Sequence, residues 1–301
     1  MNSRDTFANW ISALEARHVR DLTFPEISRA LRALSSAYIE RRHKLPQGAA
    51  LSGAGKRAAF ALFYGPLHFL LVRHIVNALP QANASTETLI DLGCGTGASG
   101  AAWASACTRP PRVIGIDRHP WAVGEASRTY RDFAIDGRAR QDDVTTVKLP
   151  KGPASILAAF TINELSDASR EMMRQRLLDR AAQGDRVLIV EPLAGFVAPW
   201  WNRWREAFVS AGGRADEWRF RAELPAVVAK LDRAAGLDHR ELTGRSLWLS
   251  GPTDVSAPGR GHAGRPYTRR SQLRRRSSGQ QLMMRSFGTP ARRACAIAVS
   301  A

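Results

Sequence analysis

TLIDLGCGTGASG, residues Thr88 to Gly100, decides how this 301-residue chain is read. Thr88 to Leu92 is a short apolar run of β-forming residues, which predicts a buried strand. Three glycines spaced two apart, Gly93, Gly95 and Gly97, follow at once. Ala98 to Cys107 then runs without proline, so a helix is expected where the glycines end. A strand, a glycine turn and a helix N-terminus leave backbone N–H groups unpaired beside the turn. The absent Cβ atoms let a nucleotide-like ligand come close. The expected ligand is an adenosine-containing cofactor.

The loop has two readings. The dinucleotide fingerprint G-x-G-x-x-G/A is met by Gly95, Gly97 and Gly100, and again by Gly93, Gly95 and Ala98. Spacing alone therefore leaves an NAD-dependent oxidoreductase open. Asp91, two residues before Gly93, favours another ligand: its carboxylate would repel a pyrophosphate but help to hold an ammonium. The full string D-x-G-x-G-x-G, Asp91 to Gly97, resembles motif I of the class I S-adenosylmethionine-dependent methyltransferases. That resemblance implies S-adenosyl-L-methionine as cofactor, with Asp91, Gly93, Cys94, Gly95 and Gly97 in its site.

Strand and helix patterns alternate after the loop, as a doubly wound α/β sheet requires. The expected fold is a mostly parallel, Rossmann-like methyltransferase sheet with an N-terminal helical segment and a disordered basic C-terminal tail. Arg112 to Asp117 reads as a second strand, and Asp117 lies twenty positions after Gly97, where a carboxylate receives ribose hydroxyls. Pro120 suits the first turn of a helix running toward Phe133. Ala139 to Val144 reads as a third strand ending in Asp142 and Asp143. The resemblance assigns the adenine amino group to Asp142, with Asp143 as the alternative.

Ser155 to Thr161 is an apolar fourth strand that runs into Asn163 and Glu164, and Arg186 to Val190 is a fifth followed by Glu191. Carboxyl ends of parallel strands line the ligand crevice, so Asn163, Glu164 and Glu191 are the candidate catalytic residues. Trp201, Trp204 and Phe208 are spaced three and four apart, which favours a buried helix face over base stacking. SLWLS, Ser246 to Ser250, is the last strand signal. Three segments result: a helical cap over 1–84, the methyltransferase domain over 85–250 and a basic tail over 251–301.

Within the cap, Trp10, Ile11 and Leu14 share a face, as do Ile27, Leu31 and Leu34. Lys56 to Leu79 returns to helix character with a kink or break expected at Gly65 and Pro66. The apolar run Ala58 to Val72, interrupted by Gly65, Pro66 and His68, is expected to be too short to cross a bilayer. Net charge is +17, and residues 251–301 hold ten Arg against one acid. Such a balance expects a polyanionic partner, RNA before others. The cysteines Cys94, Cys107 and Cys295 have no metal-ligand spacing, and no secretory signal is read at the start, so a cytoplasmic protein is expected.

A second resemblance rests on LRALSSAYIERR, FALFYGPLHFLLVRHIV, DLGCGTG, FTINELSD and SLWLS in that order. It is similar to the methyltransferase-like family associated with the mitochondrial small ribosomal subunit and its bacterial relatives. It implies ribosomal RNA or small-subunit assembly as the setting, either as an active enzyme or as an idle cofactor-binding assembly factor. The chain departs from that family in lacking a cysteine cluster, so no iron–sulfur site or other metal site is carried over. It also has Tyr64, Gly65 and Pro66 where that family has an arginine-led proline motif. INEL stands in place of the N/D-P-P-Y/F motif of many base methyltransferases, so the acceptor atom is not read from this stretch.

Overall fold

The computed structural model describes residues 3–40, 51–193 and 198–251. The basic tail, Cys295 and part of the Gln47 to Gly55 loop fall outside the described residues. In chain order the elements are α1 (Ser3–His18), α2 (Phe24–Glu40), α3 (Ala54–Ala59), a π turn (Phe60–Tyr64) and α4 (Gly65–Ala78). Then come β1 (Thr88–Leu92), α5 (Ala98–Ala106), β2 (Arg112–Asp117), α6 (Pro120–Asp132), β3 (Gly137–Gln141) and β4 (Ser155–Ala159). The chain continues with α7 (Asp167–Ala182), β5 (Arg186–Glu191), α8 (Trp201–Ser210), β6 (Arg214–Arg221), α9 (Ala226–Ala235) and β7 (Glu241–Ser250).

The strands form one seven-stranded sheet in the order β3-β2-β1-β4-β5-β7-β6. β1 to β5 pair in parallel, and β7 is antiparallel to both β5 and β6. Alternate residues of the strands feed two cores, as the period of two demands. Leu89, Val113, Leu157 and Leu188 join a cluster with Trp10, Leu31, Phe63 and Leu71 from the N-terminal helices. Ile90, Ile116, Ile156 and Ile189 join the other, with Met173 and Leu177 of α7 and Trp204 and Phe208 of α8. Burial on both faces explains why these strands are continuous apolar runs.

The helical cap is tied to α6 by polar contacts as well as by burial. Trp10 is fully buried, and its indole N–H donates to Thr129 Oγ1 at 3.2 Å. Arg17 pairs with Glu125 at 2.8 Å and with Asp132 at 3.0 Å. Of the kink or break expected at Gly65 and Pro66, the break does not occur. The backbone widens into a π turn, in which the Gly65 N–H donates to Phe60 O five residues back, and Pro66 enters the first turn of α4. Pro lacks an N–H, so a local change in hydrogen-bond register accommodates it without ending the helix. The resulting Ala54–Ala78 rod is long and apolar enough to cross a membrane, which corrects the length expected from sequence, yet 89% of its apolar window is buried within the protein.

Two further expectations need adjustment. β3 ends at Gln141, so Asp142 and Asp143 stand just beyond the strand rather than within it. The Asp142 N–H nevertheless continues the ladder, donating to Asp117 O at 3.0 Å. β6 and α9 complete the domain between Gly213 and Leu237, where no element was read from sequence.

Candidate functional site

The glycine loop leaves β1 at the middle of the sheet and delivers the chain to α5. Gly93, Gly95 and Gly97 have φ of +68°, +51° and +75°, a region that residues with a Cβ enter at a cost. At Gly93 and Gly97 space is also short. A Cβ at Gly93 would strike the Thr161 side chain, and one at Gly97 would lie 2.9 Å from Ala126 Cα. Gly65 fits the cap to this loop, since a Cβ there would sit 3.2 Å from Thr96 Oγ1.

Two carboxylates stitch the loop in place. Asp117, at the end of β2, accepts the Gly95 N–H at 2.9 Å and the His119 N–H at 2.8 Å. Its pKa is raised by burial, against the pull of those two N–H groups. Asp91 is 1% exposed; its Oδ2 accepts the Gly100 N–H at 3.0 Å and the Tyr130 hydroxyl at 3.4 Å. It thus carries negative charge to the N-terminus of α5, a favourable place for it. Burial outweighs these bonds and lifts its pKa to about 7. Its Oδ1 is buried with no hydrogen-bond partner.

A cavity of about 170 Å³ opens beside Gly93, lined by Asp117, Asp142, Asp143, Thr161 and Glu164 among others. Asp143 is engaged within its own turn, accepting the Thr145 N–H and hydroxyl at 2.8 and 2.6 Å, and these bonds lower its pKa. Among the described residues Asp142 accepts only the Asp143 N–H, at 2.9 Å, and lies 3.5 Å from Arg140. Asp142 therefore has more capacity for a ligand than its neighbour. Gly93 also borders a second, narrow cleft lined by Cys94, Gly95, Thr96, Ser99, Phe60 and His68. Burial and the nearby Asp117 and Asp91 charges push the Cys94 thiol well above its ordinary pKa, so Cys94 is an inert wall residue.

The β4 and β5 ends meet below these openings. Thr161 Oγ1 donates to Leu92 O at 2.9 Å, joining the end of β4 to the end of β1. Phe160 has φ +60°, a strained conformation for an aromatic residue, and stacks on His68 with ring centroids 3.9 Å apart. Asn163 and Glu191 are brought together: the Asn163 amide donates to Glu191 Oε2 at 2.6 Å and its N–H to Oε1 at 3.2 Å. Trp200 completes the network by donating to Asn163 Oδ1 at 2.8 Å. Glu191 is fully buried, whereas Glu164 lines the larger cavity. The expected trio is thus split into a hydrogen-bonded pair, Asn163 with the buried Glu191, and a cavity residue. His68, Phe160, Thr161 and Trp200 were not among the sequence candidates; the only sign of His68 was a polar residue inside an apolar run.

These residues fit S-adenosyl-L-methionine. Gly93 and Gly95 bring backbone without a side chain to the openings, Asp91 holds a carboxylate oxygen that suits an ammonium and has no partner among the described residues, and acidic side chains line the adjoining cavity. When bound, that cofactor supplies an activated methyl group for transfer. The sheet also departs from the dinucleotide order 3-2-1-4-5-6, because an antiparallel strand is inserted between β5 and β6.

A family model described as a methyltransferase domain matches residues 89–184. The chain is similar to mitomycin 7-O-methyltransferase MmcR, with 13% identity over 83% of this chain and 76% of that one, at a TM-score of 0.45. It is similar to a putative O-methyltransferase from Nostoc punctiforme, with 12% identity over 75% of this chain and 70% of that one, at a TM-score of 0.46. It is also similar to an RNA methyltransferase from Salinibacter ruber in complex with S-adenosyl-L-homocysteine, with 15% identity over 62% of this chain and 95% of that one, at a TM-score of 0.35. No curated protein matches. With its glycine loop, its paired acidic strand ends and a domain match over residues 89–184, the chain carries a class I S-adenosylmethionine-dependent methyltransferase domain.

Proposed function

We propose that this methyltransferase acts on ribosomal RNA of the small subunit, in the cytoplasm. The observation that carries the substrate class is charge: 44 Lys and Arg stand against 27 Asp and Glu, the balance of a protein that meets a phosphate backbone. The resemblance of the cap and FTINELSD segments to the small-subunit family supports the same setting. In this reading the loop backbone at Gly93, Cys94, Gly95 and Gly97 cradles the cofactor and Asp91 faces its ammonium. Asp117 takes ribose hydroxyls, Asp142 the adenine amino group, and Asp143 shapes the turn beside it. Glu164 lies on the cavity wall, within reach of an acceptor's proton, while Glu191 holds Asn163 in position.

Methyl transfer needs alignment and exclusion of water more than strong acid or base help. The Asn163–Glu191–Trp200 network, anchored on the buried Glu191, is suited to that positioning. Transfer of tritiated methyl from S-adenosylmethionine to small-subunit RNA, but not to protein or small-molecule pools, is the expected result; label in either other pool refutes the RNA assignment. A second reading, an idle cofactor-binding assembly factor, is favoured by one feature: Glu191 is fully buried and its carboxylate is engaged by Asn163, which removes it as a proton acceptor. Cofactor binding with no transfer to any pool, together with association with small-subunit precursors, would support that reading.

A further inference from the structure

We propose that His68 of the helical cap is a cofactor-specificity residue: its Nε2–H donates to the α-carboxylate at the amino-acid end of the methyl donor. The inference rests on the S-adenosylmethionine site described above and extends it to a residue outside the matched domain. His68 lies on α4, is 6% exposed, and lines the narrow cleft against Gly95, Thr96, Ala98 and Ser99. Its Nε2 is buried with no hydrogen-bond partner. Buried polar atoms are ordinarily paired, so an orphan beside a ligand loop marks a place where a partner arrives.

The cleft selects the chemistry of that partner. Ala98 and Ser99 are the first two residues of α5, whose N–H groups have no acceptor within the helix and whose dipole favours an anion. A carboxylate satisfies both the helix terminus and an imidazole N–H. Desolvation keeps the ring neutral, holding its pKa down at about 3, so it serves as a hydrogen-bond donor rather than a counter-charge. The ring is also fixed in direction. It stacks on Phe160, whose backbone is strained at φ +60° and held by a 2.7 Å hydrogen bond from its N–H to Val190 O. The cleft holds about 10 Å³, room for roughly one water, so an amino-acid end seating there must widen it against Phe60 and His68. Asp91 Oδ1, an acceptor suited to the ammonium of the same amino-acid end, likewise lacks a partner among the described residues.

The test compares two ligands that share the adenosine and differ in the amino-acid end. S-adenosylhomocysteine and 5′-deoxy-5′-methylthioadenosine are titrated calorimetrically into the full chain, its His68→Phe variant and its His68→Gln variant. Phe keeps the stack on Phe160 and removes the donor, whereas the Gln amide returns a donor at a similar reach. Thermal unfolding of each variant confirms that it is folded. His68→Phe is expected to weaken S-adenosylhomocysteine by about tenfold to a hundredfold and to leave methylthioadenosine within about twofold. His68→Gln is expected to recover most of the loss. Equal weakening of both ligands, or no weakening of either, overturns the assignment of His68 while leaving the cofactor site intact. A parent chain that binds neither ligand overturns the site itself, and His68 with it.

Discussion

Replacing Asp91 by Asn should stabilise the fold at neutral and higher pH while weakening methyl-donor binding. The carboxyl group of Asp91 is buried, and its pKa stands at about 7 against an ordinary 3.8. A raised folded-state pKa means that the unfolded chain gives up this proton first. The contribution of Asp91 to stability is therefore whole below pH 4 and is lost as pH climbs through about 7. A displacement of roughly 3 units corresponds to on the order of 4 kcal/mol at pH 8. Asn retains an oxygen for the Gly100 N–H without the buried charge, so the variant should lack this fall. Urea unfolding of both proteins at pH 5, 6, 7 and 8 isolates the effect, because every other titrating group is shared. The gap between them should widen with pH in favour of Asp91→Asn. Calorimetry with S-adenosylhomocysteine on the same samples should show weaker binding by the variant, since the ammonium loses its carboxylate. Parallel stability curves for the two proteins would refute the claim that this carboxylate is held desolvated for a ligand.

Three other outcomes follow from the same geometry. Gly93→Ala should destabilise the protein by about 2–4 kcal/mol, because it adds a Cβ at φ +68° against Thr161; in urea unfolding, Thr161→Ala in the same chain should restore part of the loss. Asp117→Ala removes the acceptor for both Gly95 and His119 and should weaken S-adenosylhomocysteine at least tenfold by calorimetry, with Asp117→Asn intermediate. Burial raises the Glu125 pKa, but His18 and Arg17 outweigh it and bring the group to about 2 from 4.5. Its contribution, on the order of 3 kcal/mol, is present above pH 4.5 and lost as pH falls through 2, so Arg17→Met should flatten acid unfolding in that window.

The catalytic half of the molecule was legible because its signals are local. A strand, a glycine turn and a helix start follow one another within residues 88–100, and the structure has the strand, the positive-φ turn and the helix there. The central parallel strands β1, β4 and β5 were equally plain, since burial on both faces makes them apolar runs, whereas the polar edge strand β3 was read two residues late at its start. β6 was hidden for the opposite reason: RADEWRFR lies at the sheet edge, where charges protect against unwanted pairing and erase the apolar pattern. At Gly65–Pro66 a break was one of two readings, kink or break, and it is not met because a π turn absorbs the proline. His68 and Phe160 were out of reach for a topological reason. They are 92 positions apart, and only the packing of α4 across the β4 end stacks one on the other. Asn163 and Glu191 were named individually, yet their mutual bond depends on the β4–β5 pairing.

Calorimetric titration of the purified chain with S-adenosylmethionine, S-adenosylhomocysteine and NAD in parallel tests the central claim most directly. Micromolar binding of the first two with no heat from NAD is the predicted result. Binding of NAD in their place, or silence toward all three, would contradict the reading of Asp91 to Gly97 as a methyl-donor loop.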